Sequence, residues 1–468
     1  WNRRTDAYGG SREGRFRFAL EVLDSVRKRI GDDFPVLFRI SGDEFTPSGF
    51  TPEDAVAFSK SLESRGVSAV SISGGLGHVN HIAIPPADVP RGLLLPIGAR
   101  IRQAVHVPVI VGNSMTPSIA ADAVAKGQAD FIGLGRPLIA DPDWPLKVAQ
   151  GRLEDVRYCL RCNQGCFGAL RDPKRGRIRC IYNPLSGREF ENVLTPAVEP
   201  RRIVVVGAGP AGCEVARVCK IRGHEVILLE KADRLGGQIL VAAVPPAKGD
   251  FARMIDYYER ELARLGVDVR LGTAADPDLL KSLNPDAIVL ATGTKPVRPP
   301  IPGVNLSHVH DARQVLMGRL EVKDEPVAVI GGGATGLETA DFLSRKGLSG
   351  TVIEQLDVAG RDIMAGIGVR ESLLERLGKQ KVRILTGHRV VEISEHAVKV
   401  SDRPLIGGGR ETAIPAQSVV LAMGGVPDLP ETPAPIAHQT VHYRIGDCWS
   451  PGSALDAIHQ AFDLAIQL

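Results

Sequence analysis

The chain has 468 residues, with 57 Lys plus Arg against 54 Asp plus Glu, 44% hydrophobic and 5% aromatic residues. A net charge of +3 gives no basic excess for nucleic acid, the apolar share is too high for disorder, and the few aromatics offer no stacking platform for single strands. No apolar run approaches the roughly 18 residues that span a bilayer, and at roughly 150 residues per domain the length suggests about three domains.

Residues 1–150 alternate helical and strand patterns. Gly14–Ile30 reads as an amphipathic helix with Phe18, Val22 and Val26 on its apolar face. Pro35–Ile40 reads as a strand, and Thr51 as the N-cap of a helix with Pro52 at its first position, running to about Arg65. Val67–Ser73 is a strand, Ala99–Val105 a short helix, Val107–Val111 a strand, Thr116-Pro117 a capped helix start ending at Gly127, and Ala129–Leu134 a strand. Such alternation predicts parallel strands with crossover helices, either as an open four-stranded sheet or as half of an eight-stranded barrel. The last two strands run into Gly112-Asn113 and Gly135-Arg136, a pattern that fits a phosphate site and equally two ordinary turns. Arg39 sits in the apolar strand Val36–Ile40, where a salt-bridged structural role is the ordinary expectation. His78 closes the loop Ser73-Gly-Gly-Leu-Gly-His78, with His81 as its competitor; a loop histidine can do chemistry, although packing is the ordinary role of a lone histidine.

Residues 151–200 lose this periodicity and are punctuated by Pro173, Pro184 and Pro196. They carry Cys159, Cys162, Cys166 and Cys180, spaced C-x2-C-x3-C-x13-C. Four thiolates suit zinc or an iron–sulfur cluster, and three close cysteines with one remote match the cluster pattern better than the paired spacing of structural zinc. The clustering argues against a disulfide framework and for a reducing, cytoplasmic setting. Cys213 and Cys219 lie on an apolar helix and read as core, and Cys448 reads as packing.

Residues 201–468 contain a near-repeat. Arg202–Val206 leads into Gly207-Ala-Gly209-Pro-Ala-Gly212, and Val327–Ile330 into Gly331-Gly-Gly333-Ala-Thr-Gly336. In each copy 23 residues separate the first glycine from an acid that ends the next strand, Glu230 or Glu354. This is the full dinucleotide fingerprint twice over. A carboxylate accepts from a ribose 2′-OH and repels a 2′-phosphate, so Glu354 favours NADH; Arg345 and Arg361 stand near enough in sequence to accommodate NADPH. A later strand in each copy ends in small residues, at Ala291-Thr292-Gly293 and Ala422-Met423-Gly424. The second copy is expected to be inserted in the first, with the chain returning at Tyr443–Cys448 and ending in a helix from about Ser453.

With these features together, Asn2–Ser11 resembles the signature loop of the old yellow enzyme barrel. The cysteine run and the two fingerprints resemble its multidomain branch, the 2,4-dienoyl-CoA reductase and trimethylamine dehydrogenase family. The resemblance covers essentially the whole chain. It implies an α/β protein made of the C-terminal half of a (β/α)8 TIM barrel (1–150) binding FMN, a 4Fe-4S segment (151–199), and two nested Rossmann-like domains, for FAD (200–324 and 422–468) and NAD(P)H (325–421). By resemblance, Arg39 lies beside the flavin ring, His78 near the active-site histidine, and Gly112, Asn113, Gly135 and Arg136 at the FMN phosphate. Asp447 falls in the family's FAD-contacting Gly-Asp motif. The signature loop lies midway through the family's barrel, so the sequence reads as N-terminally truncated, without the first barrel strands and their active-site Tyr.

The expected activity is reduction of an activated C=C bond of an enoate or dienoyl thioester, with electrons passing from NADH to FAD, the cluster, FMN and substrate. The rival expectations are an amine dehydrogenase or oxidative N-demethylase on the same scaffold, and an NADH-oxidising electron-transfer module. The second motif, degraded in trimethylamine dehydrogenase, is intact here, which favours the reductase. The expected partner is a small molecule, with no nucleic acid or membrane; a homo-oligomer stays open.

Overall fold

The computed structural model describes residues 2–77, 80–171, 176–191, 194–402, 409–430 and 440–468. The chain divides into two compact units, 1–163 and 164–468. The expected connecting segment at 151–199 contributes to both.

In the first unit, β1 (Leu37–Ser41), β2 (Ala69–Ser73), β3 (Val109–Val111) and β4 (Phe131–Ile132) form one parallel sheet in that order. The helices between them start where the sequence supplies caps. Thr51 accepts from Asp54 N while Asp54 reaches back to Thr51 N, and Pro52 opens the helix Pro52–Glu63. Thr116 accepts from Ile119 N at the head of Pro117–Ala125. The buried Asp54 also binds Arg12 at 2.7 Å, tying this helix to Arg12–Ile30.

The core lies where Phe16, Leu20 and Leu23 meet Phe58, Leu62 and Ile72, with the Phe16 and Phe58 rings 4.6 Å apart. This corrects the expected face of the first helix: Phe18 is 68% exposed and Val22 46%, while Phe16, Leu20 and Leu23 are buried. Both sets have helical spacing, and the sequence alone gives no reason to choose between them. The short helix is also displaced from Ala99–Val105 to Leu95–Arg102.

In the second unit, β5 (Arg202–Val206), β6 (Glu225–Leu229), β7 (Asp268–Arg270), β8 (Ala287–Leu290) and the distant β19 (Val441–Arg444) make a parallel sheet ordered β19-β8-β5-β6-β7. A second parallel sheet is ordered β10-β17-β11-β12-β13, from β10 (Val309–Asp311), β11 (Val327–Ile330), β12 (Gly350–Ile353), β13 (Arg383–Leu385) and β17 (Ser418–Leu421). The central strands β5, β8, β11 and β17 are buried on both faces, as continuous Val/Ile runs require.

The chain leaves the first sheet through β9 (Thr294–Pro296) and comes back through β18 (Gly425–Pro427), and these two strands pair antiparallel. A three-stranded antiparallel sheet, β14 (Arg389–Ile393), β15 (Ala397–Ser401) and β16 (Glu411–Pro415), packs its apolar face with Ile330, Ile353 and Val419. The chain ends in the helix Ala454–Ala465, with Ser453 and Asp456 as a reciprocal capping box.

Candidate functional site

The two glycine motifs repeat in geometry as they do in sequence. Gly207 has φ +99° and Gly331 φ +105°, which only glycine adopts without strain. A Cβ on Gly207 would meet Ala291 O at 2.6 Å, and one on Gly331 would meet Ala422 O at 2.4 Å. The third glycines are tighter still: a Cβ on Gly212 or Gly336 would lie 1.8 Å from the carbonyl of Gly207 or Gly331. These contacts let each helix, Pro210–Ile221 or Ala334–Arg345, start directly against its strand.

The acids close each motif in the same way. Glu230 accepts from Ala208 N (2.7 Å) and Ala232 N (2.8 Å), and Glu354 from Gly332 N (2.6 Å) and Leu356 N (2.8 Å). Backbone donors thus fix each carboxylate at the strand end, where a ribose hydroxyl would meet it.

At the first motif nothing lies within 4 Å of a Cβ added to Gly209, so the space where that backbone would approach a pyrophosphate is open. The adjacent cavity has a volume of about 240 Å³ and is lined by Gly209, Gln238, Arg313, Thr335, Asp447 and Ala454. Its polar groups form a chain. Gln238 Nε2 donates to Asp447 Oδ2 (2.9 Å) and Thr294 Oγ1 (3.1 Å), and Arg313 donates to Thr294 O (2.7 Å) and Oγ1 (2.9 Å). Asp447 accepts as well from Gly452 N at 3.0 Å. Burial pulls the Arg313 guanidinium below its ordinary pKa.

A neighbouring cavity of about 550 Å³ holds Glu230 with Lys231, Arg234, Arg298, Arg313 and Arg319, a cationic lining suited to a diphosphate. Gln238, Thr294 and Arg313 were not singled out from the sequence. The one local signal is Gly236-Gly237, whose φ values of +114° and +50° turn the chain so that Gln238 faces Asp447. Gly293, also at positive φ (+73°), lies on the same side, with its added Cβ 3.8 Å from Gln238 Nε2.

Under the first helix, Glu214 is wholly buried and paired with Arg217 (2.8 and 3.0 Å), and Tyr258 donates to it at 3.1 Å. Burial would lower the Arg217 pKa, but the Glu214 charge outweighs it and holds the guanidinium well above its ordinary value. Cys213 and Cys219 are buried on this helix, and burial pushes the Cys219 thiol up to about 12, which makes it inert at neutral pH. The Cys448 sulfur lies 3.1 Å from both Leu290 O and Ile445 O, either of which can take its single S–H, and the side chain is buried.

In the first unit, Arg39 is exposed on β1 and donates to Ser73 Oγ at 3.2 Å. Gly135 has open space around an added Cβ, and Asn113, at φ +85°, has a buried Oδ1 with no hydrogen-bond partner. Gly112 faces Gly133, with its added Cβ 3.0 Å from Gly133 O. Arg136 gives Nη1 to Pro85 O (2.8 Å) and Asn163 Oδ1 (2.6 Å), and Nη2 to Ser114 Oγ (3.2 Å). Those bonds take three of its five donors and hold the others at the loop end. Arg91 joins Ser114 O to Cys159 O, at 3.4 and 3.3 Å, so this loop and the first cysteine are braced together. His78 lies outside the described residues.

None of the seven cysteines is in a disulfide, and the four clustered ones are half-buried. Cys159 and Cys162 belong to the first unit, Cys166 and Cys180 to the second. Among the described residues no three His, Cys, Asp or Glu side chains stand together as a metal-holding group. The Cys180 carbonyl accepts from His459 Nε2 at 2.9 Å.

A parallel sheet entered through a glycine motif, occurring twice and nested, defines a two-dinucleotide redox protein. Comparison with known proteins agrees. Residues 1–155 match the NADH:flavin oxidoreductase / NADH oxidase family, and residues 185–278 and 278–438 match the pyridine nucleotide-disulphide oxidoreductase family. The chain is 38% identical to an NADH oxidase of Thermoanaerobacter brockii, over 100% of this chain and 72% of that protein. It is 36% identical to a cinnamate reductase of Clostridium sporogenes, over 91% of this chain and 65% of that one. A solved 2-naphthoyl-CoA reductase, in complex with 2-naphthoyl-CoA, superposes with a TM-score of 0.92 at 32% identity, covering 100% of this chain and 70% of that one. The chain belongs to the multidomain, old yellow enzyme-like branch of the NADH:flavin oxidoreductases. It is a flavin-dependent NADH oxidoreductase with an FMN domain and FAD- and NADH-binding domains.

Proposed function

We propose that this enzyme reduces an activated C=C bond of an enoate or enoyl thioester at the expense of NADH. The supporting observation is the second nucleotide motif: Gly331, Gly336 and Glu354 repeat the geometry of Gly207, Gly212 and Glu230, which suits a second dinucleotide. Likeness to proteins named cinnamate reductase and 2-naphthoyl-CoA reductase supplies the substrate class.

The residues divide the work. FAD is assigned to 200–324 and 422–468, where Gly207 and Gly212 let the helix start against its strand, Gly209 leaves room for the pyrophosphate, and Glu230 holds the ribose. Asp447 lines the cavity of about 240 Å³ assigned to the flavin ring, with Gly293 beside Gln238. NADH is assigned to 325–421, with Glu354 on its ribose. For FMN, Gly112, Asn113, Gly135 and Arg136 are assigned to the phosphate and Arg39 to the ring; the remaining donors of Arg136 and the open space at Gly135 suit an anion there. Cys159, Cys162, Cys166 and Cys180 would supply the four-thiolate donor set of a 4Fe-4S cluster. Bound flavin exchanges hydride equivalents with nicotinamide, and a cluster carries electrons singly. The chain's own residues bind and orient: helix N-termini face the pyrophosphates, and the Gln238–Asp447–Thr294–Arg313 chain fixes one wall of the ring cavity.

The test is a cofactor inventory on protein purified without oxygen, followed by anaerobic turnover of NADH with cinnamate-type enoates and with their coenzyme A thioesters. Bound flavin and enoate-dependent NADH oxidation are expected. NADH oxidation with an artificial acceptor alone, or reduction of that acceptor by alkylamines, overturns the reading.

A further inference from the structure

The two glycine motifs differ at one point. At the first, the space beside the second glycine is open. At the second, a Cβ on Gly333 would meet Asp362 Oδ2 at 3.0 Å, and both oxygens of Asp362 lie 3.0 Å from Ala334 N, the first N–H of the helix. The first motif has Pro210 at that helical position and therefore no N–H to offer.

The second glycine of the fingerprint is small so that a dinucleotide pyrophosphate can reach the backbone, and the helix N-terminus attracts its negative charge. A carboxylate on that N–H holds the same place with the same sign of charge. Asp362 is exposed, and its loop is pinned to the motif by Gly360 N donating to Gly332 O at 2.7 Å. Pyrophosphate and Asp362 cannot share the Ala334 N–H. The exposed side chain has room to swing into solvent, leaving the pinned backbone in place.

We infer that Asp362 is an internal competitor for the pyrophosphate of the nicotinamide dinucleotide, and so a determinant of affinity at the second motif. It lowers affinity for any ligand carrying that pyrophosphate and leaves ligands without one untouched. The inference rests on the assignment of the second motif to NADH.

The test is calorimetric titration of the FAD-loaded protein with ADP-ribose, NAD+ and adenosine, for wild type, D362N and D362A. The end of a helix typically favours an exposed carboxylate enough to predict about two- to fivefold tighter binding of ADP-ribose and NAD+ in both variants, with adenosine unchanged. Unchanged or weaker ADP-ribose binding in the variants overturns the inference and makes Asp362 a structural cap or a direct ligand. Absence of ADP-ribose binding in all three proteins overturns the NADH assignment, and the inference with it. Equal thermal midpoints for wild type and D362N separate the affinity effect from loss of fold.

Discussion

Gly209 and Gly212 are three residues apart in one motif, and they are glycine for different reasons. Gly212 has no room for a side chain because Gly207 O lies 1.8 Å from its Cβ position, whereas Gly209 has ordinary φ and nothing within 4 Å. Gly212→Ala should therefore lower both the thermal midpoint and FAD content. Gly209→Ala should keep the midpoint and lose FAD affinity, because its methyl group projects where the pyrophosphate would lie. Retained FAD in Gly209→Ala, measured by flavin absorbance after gel filtration, would place the pyrophosphate elsewhere. The spacing of these glycines was legible because the constraint is local to one strand–turn–helix. Gln238, Thr294 and Arg313 were not, because they meet only in the fold: Gln238 bonds Thr294 56 residues on and Asp447 209 residues on.

Among the elements, caps were readable and faces were not. Thr51 and Thr116 each accept from the backbone N–H three residues on, as their sequence context predicts, and Ser453, where the last helix was expected to begin, does the same. Thr51→Ala should cost about 0.5–2 kcal/mol of local stability, seen as faster amide exchange across Pro52–Glu63 with FAD binding unchanged. Ser453→Ala should cost a similar amount, about 0.5–2 kcal/mol. It should also weaken FAD binding, since Ser453 and Ala454 line the cavity of about 240 Å³ beside Gly209. Unaltered exchange in Thr51→Ala would show that the cap adds nothing there. The helix Arg12–Ile30 shows the limit of periodicity: two apolar stripes compete, and Phe50 and Phe58 decide for the Phe16 stripe, with ring centroids 6.0 and 4.6 Å away.

At the scale of the molecule, the residues assigned to FAD lie on the first five-stranded sheet and its loops, apart from the cysteine segment in sequence. Cys162→Ala should therefore abolish bound iron while FAD stays. Loss of both, in a variant that keeps its far-ultraviolet dichroism, would show that the two depend on one another. Cys180 is tied to the terminal helix, its carbonyl accepting from His459 Nε2 at 2.9 Å.

By itself the sequence determined the parallel α/β character, the two dinucleotide motifs with their acids, the caps and the cysteine spacing. Each of these is encoded within one turn of helix, one strand or one short loop, where steric limits and backbone hydrogen bonding act between near neighbours. The tertiary structure decided which stripe of a helix meets the core, which polar groups converge on the FAD-side cavity, and that Asp362 lies on the second motif's first N–H. These depend on side chains brought together from distant strands, where packing and charge act between groups that no local spacing connects.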